Sequence, residues 1–374
     1  MKSFNIDSLP VDNTIKSFIK RQADIAIDKY SLKGGNGVLF FGLNKILEKR
    51  VALKFYFIDG STACHAEPKT LGEIKDLNIL PIFDAGTISN EYAFFITPEI
   101  DGGDLDNYII DEKLNLFSVI KIVKGVLSGL TCLHSASSRL IHRDLKPSNI
   151  LVDKNCTPYI ADFGSIVKLP ENGKYIRGPS RHTIIYTPPE TFKQNCYYIS
   201  SDIYQVGILL YQLLGGYFPY QALAWLTKKE KLTYQKITDD FKKSQYFNQI
   251  FEKKVCKGQH LDYETLPNFI PLHLKKMVKK ATNRDYKKRY QITSEFLADI
   301  HKFMSSALNW IVLGDNEFLV QKFKPHKLRL KISKKSNHWC VEKSIKSGWR
   351  RDNTFSGNLK HIAEKIHKEY YKFK

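Results

Sequence analysis

Two carboxylates, one amide and one ammonium group recur at close spacing near the middle of this 374-residue chain. Asp144, Lys146 and Asn149 lie in a single run that contains Pro147, and Asp162 follows a short distance downstream. Divalent cations of the magnesium type prefer hard oxygen ligands, which the carboxylate of Asp162 and the amide oxygen of Asn149 can supply. A carboxylate in a tight loop, such as that of Asp144, can orient a hydroxyl group and accept its proton. These residue types are the ones that transfer of a phosphoryl group requires.

Short apolar segments on either side of a turn would bring the metal ligands together. Residues 150–152 and 159–161 predict two strands, and residues 153–155 between them are turn-prone. A hairpin of this kind would place Asn149 and Asp162 close to each other.

The run of residues 141–149 resembles the catalytic loop of eukaryotic-type (Hanks-type) serine/threonine protein kinases. The segment Asp162-Phe163-Gly164 is similar to the metal-binding motif of that family. The resemblance extends over about residues 28–303. It implies a bilobal α+β fold, in which a small antiparallel N-lobe (28–97) precedes a larger helical C-lobe (101–303).

The resemblance also implies a role for each residue of the catalytic loop. Asp144 would orient and deprotonate the acceptor hydroxyl, and Lys146 would stabilise the charge that develops on the transferred group. Asn149 and Asp162 would hold Mg2+, with Mn2+ as the alternative ion.

The same resemblance implies an ATP site built mainly from the N-lobe. Small residues let backbone N–H groups approach phosphate oxygens, and Gly34 and Gly37 occupy the second and third positions of the family's glycine-rich loop. Leu32 replaces the first glycine of that loop. The other residues expected to line the nucleotide are Leu39, Ala52, Thr97, Glu99, Ile100 and Leu151.

One lysine is expected to contact the phosphates of the nucleotide. Lys54 lies in an alternating apolar segment and is similar to the strand lysine of the family. Glu67 is expected to form an ion pair with Lys54, although Pro68 restricts this glutamate to the first turn of a helix. Glu73 is the alternative partner, so the choice between the two glutamates stays open at this point.

Residues 165–190 resemble the activation segment of the family and end in Pro188-Pro189-Glu190, where most members have Ala-Pro-Glu. Thr183 is similar to the threonine that bonds the catalytic Asp and Lys of serine/threonine kinases, which favours Ser or Thr hydroxyls as acceptors. Ser180 and Thr183 are the predicted autophosphorylation sites, and Arg143 would bind the resulting phosphate. The alternative is a basic loop without a phosphorylation switch. Further acceptor hydroxyls of this segment are those of Ser165 and Tyr175.

Three residues outside the catalytic loop are expected to support it. Asp202 opens an apolar helix and is similar to the aspartate that braces the catalytic loop in the family. Glu190 is expected to pair with Arg289, which lies near the end of the kinase domain. We interpret all three as structural residues.

The chain extends beyond the kinase resemblance at both ends. Apolar spacing predicts a helical extension over residues 1–27, and a basic α+β appendage is predicted over residues 304–374. The strands of the appendage are predicted at 317–320, 328–333 and 338–345, with a helix at 359–371. Residues 305–374 contain 16 Lys and Arg against 6 Asp and Glu, and Trp349 lies beside Arg350.

This composition leaves three interpretations of the appendage. It could contact nucleic acid or another polyanion, because aromatic and basic side chains are interleaved. It could also be a docking or regulatory module for protein partners, or a packing extension of the kinase domain.

The overall composition indicates a soluble protein. The chain is 43% hydrophobic, which supports a sizeable core, and its formal charge is +20. No apolar leader follows the first residues, and we expect no apolar run of the roughly eighteen residues that span a bilayer. The six cysteines are dispersed without a Cys-x-x-Cys pair, which argues against a zinc site or a disulfide framework. We therefore expect a cytoplasmic protein without a membrane span. Specialised secretion of a folded effector is the alternative, because it would leave no mark of this kind in the sequence.

The sequence thus predicts a kinase that transfers the γ-phosphoryl group of ATP to Ser or Thr hydroxyls of protein substrates, with autophosphorylation of its activation segment. A pseudokinase scaffold that binds partners through its basic appendage is the main alternative, supported by the departures at Leu32 and beside Glu67. A kinase-fold enzyme acting on small molecules is a third interpretation, which the activation segment with Thr183 weakens.

Overall fold

The computed structural model describes residues 4–32, 37–58, 65–111, 114–171, 173–177, 183–322, 327–346 and 348–370. Within these ranges the chain forms a sheet-based N-lobe, a larger helical C-lobe and a C-terminal sheet that packs against the C-lobe. The bilobal α+β fold expected from the sequence is confirmed.

The described part of the N-lobe is a five-stranded antiparallel sheet with a helix on each face. Its elements are helix α1 (Asn13–Arg21), β1 (Ile25–Ser31), β2 (Val38–Asn44), β3 (Lys49–Phe57), helix α2 (Ala66–Glu73), β4 (Asp84–Thr87) and β5 (Tyr92–Pro98). The strands follow the order β1-β2-β3-β5-β4. The central strand is therefore β3, which pairs Lys54 with Leu39 of β2 and with Phe95 of β5.

The N-terminal extension contains a shorter helix than the sequence suggests. A helical extension is predicted over residues 1–27, but α1 ends at Arg21 and Ile25 begins β1. Residues 25–31 pair with β2 along almost their whole length, and the side chains of a strand alternate between two faces. The apolar residues Ile25 and Ile27 have this period of two, because they belong to β1 and not to the helix.

The outer face of the N-lobe sheet is covered by α1. Ile15 and Ile19 lie one helical turn apart on α1, and both are buried in one cluster with Leu53 and Phe55 of β3. Because neighbouring residues of a strand face opposite sides, Lys54 faces away from α1. The helix therefore supplies one side of a separate N-lobe core and anchors the strand that carries Lys54.

The C-lobe is built around two apolar helices, α4 and α6, which are buried along most of their length. Its first elements are α3 (Leu105–Asp111), α4 (Leu116–His134), β6 (Leu140–Ile141), β7 (Ile150–Val152), β8 (Pro158–Ile160), β9 (Val167–Lys168) and β10 (Tyr175–Arg177). Its later elements are α5 (Pro189–Gln194), β11 (Cys196–Tyr198), α6 (Ile199–Leu213), α7 (Lys228–Lys236), α8 (Asp240–Lys257), α9 (Leu272–Ala281) and α10 (Thr293–Met304).

One expectation about apolar runs needs correction. Among the described residues, α4 is long and apolar enough to cross a membrane by length and composition, with a mean hydropathy of 1.7. No run of that length was expected from the sequence. Of the most apolar part of α4, 61% is buried inside the protein, where it packs against α6 and α10. The apolar character of α4 is thus that of a helix in the core of the C-lobe.

A second antiparallel sheet and a helix complete the described part of the chain. They are β12 (Asn309–Gly314), β13 (Glu317–Lys322), β14 (Leu328–Lys335), β15 (His338–Ile345), β16 (Gly348–Arg351) and α11 (Leu359–Tyr370). The strands lie in sequence order. All three predicted strands and the predicted helix are present, and β12 and β16 add an edge strand on each side.

This C-terminal unit packs directly on the C-lobe. The ring of Trp310 in β12 stacks on Phe269 with ring centroids 5.4 Å apart, and His367 Nε2 in α11 lies 3.0 Å from Phe269 O. The backbone N–H of Phe117 in α4 donates to Asn309 Oδ1 at 3.1 Å. The buried side chains of the unit are continuous with those of the C-lobe. The unit is therefore a packed extension of the C-lobe, which is one of the three interpretations of the appendage.

Candidate active site

Three donors hold the carboxylate of Asp144. Lys146 Nζ donates to Oδ2 at 2.8 Å, and Asn149 Nδ2 donates to the same oxygen at 2.9 Å. The backbone N–H of Thr183 donates to Oδ1 at 3.3 Å, and Lys146 Nζ also donates to Thr183 Oγ1 at 2.8 Å. The structure therefore brings Asp144, Lys146, Asn149 and Thr183 together, and Asp144 is only 4% exposed.

The catalytic loop rests on a buried carboxylate at the start of α6. Asp202 accepts hydrogen bonds from the backbone N–H groups of His142 and Arg143, both at 2.9 Å. The ring of His134, at the end of α4, lies 2.8 Å from Asp202 through Nε2. Arg143 has a φ of +70°, which few residues other than glycine adopt. The contacts with Asp202 offset the cost of that backbone conformation.

Asn149 and Asp162 offer oxygen atoms that suit a divalent metal ion. Asn149 Nδ2 donates to Asp144 O at 2.7 Å, which leaves the amide oxygen of Asn149 without a donor among the described residues. Asp162 is exposed, and its carboxylate accepts a long hydrogen bond of 3.4 Å from the Gly164 N–H. Mg2+ is commonly bound through one or two protein oxygens, with phosphate and water completing its shell. The two residues therefore fit such an ion.

A partly buried ion pair joins β3 to α2. Lys54 Nζ lies 2.9 Å from Oε1 and 2.7 Å from Oε2 of Glu67. The backbone of Phe163 also acts on the Glu67 carboxyl and lowers its pKa. Burial raises the pKa of Glu67, Lys54 lowers it, and nearby Asp162 raises it again, with a net increase. Glu73 is exposed at the end of α2, so Glu67 is the partner of Lys54.

Other residues predicted to bind ATP lie on both lobes. Ala52 of β3 and Thr97 of β5 are directly paired, and both are buried. Leu39 is paired with Lys54 across β2 and β3. Leu151 lies in β7 of the C-lobe. Three of the four thus belong to the strand of Lys54 or to its two neighbours in the sheet.

The glycine-rich loop is described only at its ends. Leu32 is exposed just after β1, and Gly34 lies outside the described residues. Gly37, just before β2, approaches β3 closely enough that an added Cβ would lie 2.1 Å from Phe55 O. Glycine at position 37 is therefore required by the packing of two neighbouring strands.

In the segment that joins the lobes, the backbone N–H groups of Glu99 and Ile100 differ in their hydrogen bonding. The N–H of Glu99 donates to Arg50 O at 3.1 Å, so this group is not free to bind a nucleotide. The N–H of Ile100 has no hydrogen-bond partner within the described part of the chain. The guanidinium of Arg50 donates to Glu99 Oε2 at 2.7 Å and also contacts Asp28, whose pKa it lowers. This role of Arg50 could not be predicted from the sequence, because nothing in its local sequence links it to residues 28 and 99.

The arginine predicted to bind an activation-segment phosphate has other partners in this structure. Arg143 Nε donates to Ser165 O at 2.6 Å, and its guanidinium lies 5.2 Å from the centre of the Tyr197 ring. Ser165 is buried, which removes it as an accessible acceptor. The hydroxyl of Thr183 is bonded to Lys146, and Ser180 lies outside the described residues.

The end of the activation segment is fixed by a buried ion pair. Arg289 Nη1 and Nη2 lie 2.8 and 2.7 Å from the two carboxylate oxygens of Glu190. Glu190 also accepts from Ser201 Oγ at 2.7 Å, and Arg289 donates to Ser200 O at 3.0 Å. The expected pairing is thus present and bidentate, the geometry that gives arginine–carboxylate pairs their specificity.

Sequence analysis also missed Gln205. This buried side chain of α6 accepts a hydrogen bond from the Leu145 N–H at 2.9 Å and donates to Arg143 O at 2.8 Å. A lone amide in an apolar helical run is the signal that points to such a residue, because buried polar groups are nearly always hydrogen-bonded.

Comparison with known proteins gives a consistent result. A family model described as "Protein kinase domain" matches residues 33–301. The serine/threonine-protein kinase PknL of Mycobacterium tuberculosis is 28% identical over 214 residues, which cover 55% of this chain and 52% of PknL. The probable serine/threonine-protein kinase PknB of Lactococcus lactis is 28% identical over 238 residues, which cover 63% of this chain and 33% of that protein. The chain spans about half the length of PknL and less of PknB.

Proposed function

The chain belongs to the protein kinase domain family, and from this premise we propose that it transfers the γ-phosphoryl group of ATP to Ser or Thr hydroxyls of protein substrates. The names of the relatives PknL and PknB support this activity. The contacts of the catalytic loop support the choice of acceptor, because Thr183 and Lys146 flank the carboxylate that would meet the hydroxyl.

The side chains of the loop divide the chemistry among them. Asp144 orients the acceptor hydroxyl and takes its proton. The new bond forms between the hydroxyl oxygen and the γ-phosphorus, the bond from that phosphorus to the bridging oxygen of ADP breaks, and ADP leaves. Lys146 stabilises the charge on the transferred group. Lys54, held by Glu67, positions the phosphates of the nucleotide. A divalent ion, proposed to be Mg2+ with Mn2+ as the alternative, would be held by Asn149 and Asp162 and would neutralise phosphate charge.

One observation carries this proposal: the ion pair of Lys54 with Glu67 exists together with the Asp144–Lys146–Thr183 contacts. Catalysis by kinases is mainly positioning and electrostatic stabilisation, and both sets of contacts are needed for it. The pseudokinase alternative has less support, because Pro68 does not prevent the Lys54–Glu67 pair from forming.

The test compares the wild type with Asp162→Ala. Both proteins are incubated with ATP, Mg2+ and a generic protein acceptor, and ATP affinity and the thermal unfolding midpoint are measured alongside. We expect the variant to fold normally and to transfer no phosphate. Equal transfer by the two proteins would contradict the proposed role of Asp162, and transfer to small alcohols in preference to the protein would favour the small-molecule interpretation.

Autophosphorylation is proposed at Ser180 or Thr183. Ser180 is the favoured acceptor, since the hydroxyl of Thr183 would have to leave Lys146 before it could be modified. Mass spectrometry of the wild type after incubation with ATP distinguishes the two sites. An unmodified activation segment in a protein that phosphorylates other acceptors would rule out the switch.

A second function is favoured by the distribution of charge. Residues 228–288 contain 16 Lys and Arg against 7 Asp and Glu, which adds to the similar excess in residues 305–374. Burial lowers the pKa of Lys275 in α9. Glu264 and Glu364 raise this pKa and Lys360 of α11 and Lys279 lower it, with a net decrease. Lysines of α9 and α11 therefore lie close enough to interact, although Glu264 and Glu364 lie near them. We propose that this basic surface contacts a polyanion such as nucleic acid.

Binding of a fluorescent duplex oligonucleotide at several salt concentrations tests this second function. The affinity of a phosphate-binding surface should fall steeply with salt, and Lys279→Gln with Lys360→Gln should reduce the slope. No binding at low salt would exclude it.

We further propose a cytoplasmic location. It is supported by the cysteines of the described residues, all of which are free thiols. Cell fractionation with an antibody against the chain would test this, and recovery in the membrane fraction would contradict it.

A further inference from the structure

Gln205 is a buried amide between the catalytic loop and the activation segment. It lies in α6 one turn after Asp202, and its side chain is 1% exposed among mostly apolar neighbours. Burying an amide without hydrogen bonds is unfavourable, so the hydrogen-bond partners of Gln205 must offset the cost of its burial.

The amide bonds to both sides of Asp144. Gln205 Oε1 accepts from the Leu145 N–H at 2.9 Å, and Nε2 donates to Arg143 O at 2.8 Å. The second proton of Nε2 points to Tyr186 O at 3.4 Å in the activation segment. Only an amide supplies one acceptor and two donors in this arrangement. The Leu145 N–H also fixes which end of the amide is the oxygen.

These contacts complement those of Asp202. Asp202 binds the N–H groups of His142 and Arg143, upstream of Asp144. Gln205 binds the carbonyl before Asp144 and the N–H after it, so the backbone of Asp144 is held from both directions. Arg143 has a φ of +70°, a conformation that persists only where its surroundings hold it. Without the amide, the Arg143 carbonyl and the Leu145 N–H would each lose a buried hydrogen-bond partner.

We propose that Gln205 is a positioning residue for phosphoryl transfer, which holds the backbone of Asp144 and couples it to the activation segment at Tyr186. The inference rests on the proposed kinase function. Gln205 touches no reacting atom, so its removal should affect the rate of transfer and leave the binding of ATP intact.

The experiment compares Gln205→Met, which has a similar shape and no amide, with the wild type. We expect kcat to fall about 10- to 100-fold, since a misplacement of about 1 Å costs on the order of 100-fold. The KM for ATP should stay within about twofold, because Lys54 and the strands around it are untouched. Gln212→Met is the matched control. Gln212 lies on the same helix and bonds the hydroxyls of Tyr186 and Tyr220, not the catalytic loop, so its kcat should stay within about twofold.

The pH dependence of kcat in Gln205→Glu distinguishes a positioning role from a purely structural one. A protonated carboxyl can accept from Leu145 and donate to Arg143 O, whereas the ionised form can only accept. The new carboxyl would be buried near Asp202 of its own helix, Arg143 and Asp144 of the catalytic loop and Tyr186 of the activation segment. We expect kcat of this variant to approach the wild-type value near pH 6 and to fall toward that of Gln205→Met as pH rises.

The outcomes separate this inference from the proposed function. If the wild type transfers no more phosphate than Asp144→Asn, the kinase function itself fails. If the wild type is active and Gln205→Met keeps its kcat, or if Gln205→Glu follows the wild-type pH profile, the positioning role is wrong. Should Gln205→Met fail to fold, as judged by circular dichroism and ATP binding, the pH profile of Gln205→Glu still decides between the outcomes.

Discussion

The N-lobe should depend for its stability on α1, a helix that lies outside the residues matched by the kinase family model. The test substitution is Ile19→Ala. Ile19 is 3% exposed and packs in one cluster with Leu53 and Phe55 of β3. Because these residues alternate with Lys54, loss of their cover should loosen the strand that positions the lysine.

The magnitude follows from the atoms removed. Ile→Ala deletes three carbon atoms, worth about 0.8 kcal/mol per buried methylene, or roughly 2.4 kcal/mol. The cavity left behind raises the cost to about 3 kcal/mol, within the usual range for buried isoleucine. The N-lobe cluster is separate from the main core, so the loss should fall on the unfolding of the N-lobe.

The assay is urea unfolding together with amide hydrogen exchange of β3. Ile46→Ala is the matched control, because Ile46 is 74% exposed between β2 and β3 and should cost less than about 0.5 kcal/mol. We expect Ile19→Ala to shift the first unfolding transition and to speed exchange in β3, with little effect on the C-lobe. If Ile19→Ala and Ile46→Ala are equally stable, α1 is not part of the N-lobe core and the reasoning fails.

Three further predictions concern buried charge and phosphate positioning. Arg289→Met should destabilise the protein by about 3 to 5 kcal/mol in urea unfolding, because it leaves the Glu190 carboxylate buried without its cation; equal stability of variant and wild type would contradict this. Burial lowers the pKa of His260 to about 3, below its usual value of about 6.5. Below about pH 6.5, His260 is therefore protonated in the unfolded chain but stays neutral in the folded chain. The free energy of unfolding should thus be highest above about pH 6.5 and decrease as pH falls below it, by about 2 kcal/mol at pH 5. His260→Gln should reduce the dependence of the unfolding free energy on pH below about pH 6.5. An unchanged dependence would show that other titratable groups cause it. Lys54→Met should lower kcat/KM for ATP about 100-fold or more while the fold is retained; unchanged kinetics would show that Lys54 does not contact the phosphates.

The sequence was informative wherever a residue's partner is close in the chain or its type is chemically specific. Asp144, Lys146 and Asn149 lie within six positions, and their contacts follow from one tight loop. The strands of the C-terminal sheet were predictable because alternating apolar residues face one side of a strand. Predictions on Gly34 and Ser180 fall on residues that the structure does not describe.

Other features depend on contacts that are distant in the chain. The amide of Gln205 meets the catalytic loop 60 positions away, and Arg50 meets Glu99 49 positions away. The start of β1 is hard to predict because Ile19, Ala23 and Ile27 are spaced four positions apart, which fits both a helix and a strand over a short window. Whether the C-terminal unit packs on the C-lobe could not be read from composition, since that depends on Phe269 meeting Trp310.

The most direct test of the central claim is phosphate transfer by the wild type and by Asp144→Asn, with phosphosites mapped by mass spectrometry. Both proteins are incubated with ATP, Mg2+ and a basic protein acceptor, and ATP binding is measured separately. We expect phosphoserine or phosphothreonine on the acceptor with the wild type only, because Asn at position 144 cannot take the proton of the hydroxyl. No phosphate from either protein, although both bind ATP, would contradict the account and favour a nucleotide-binding scaffold.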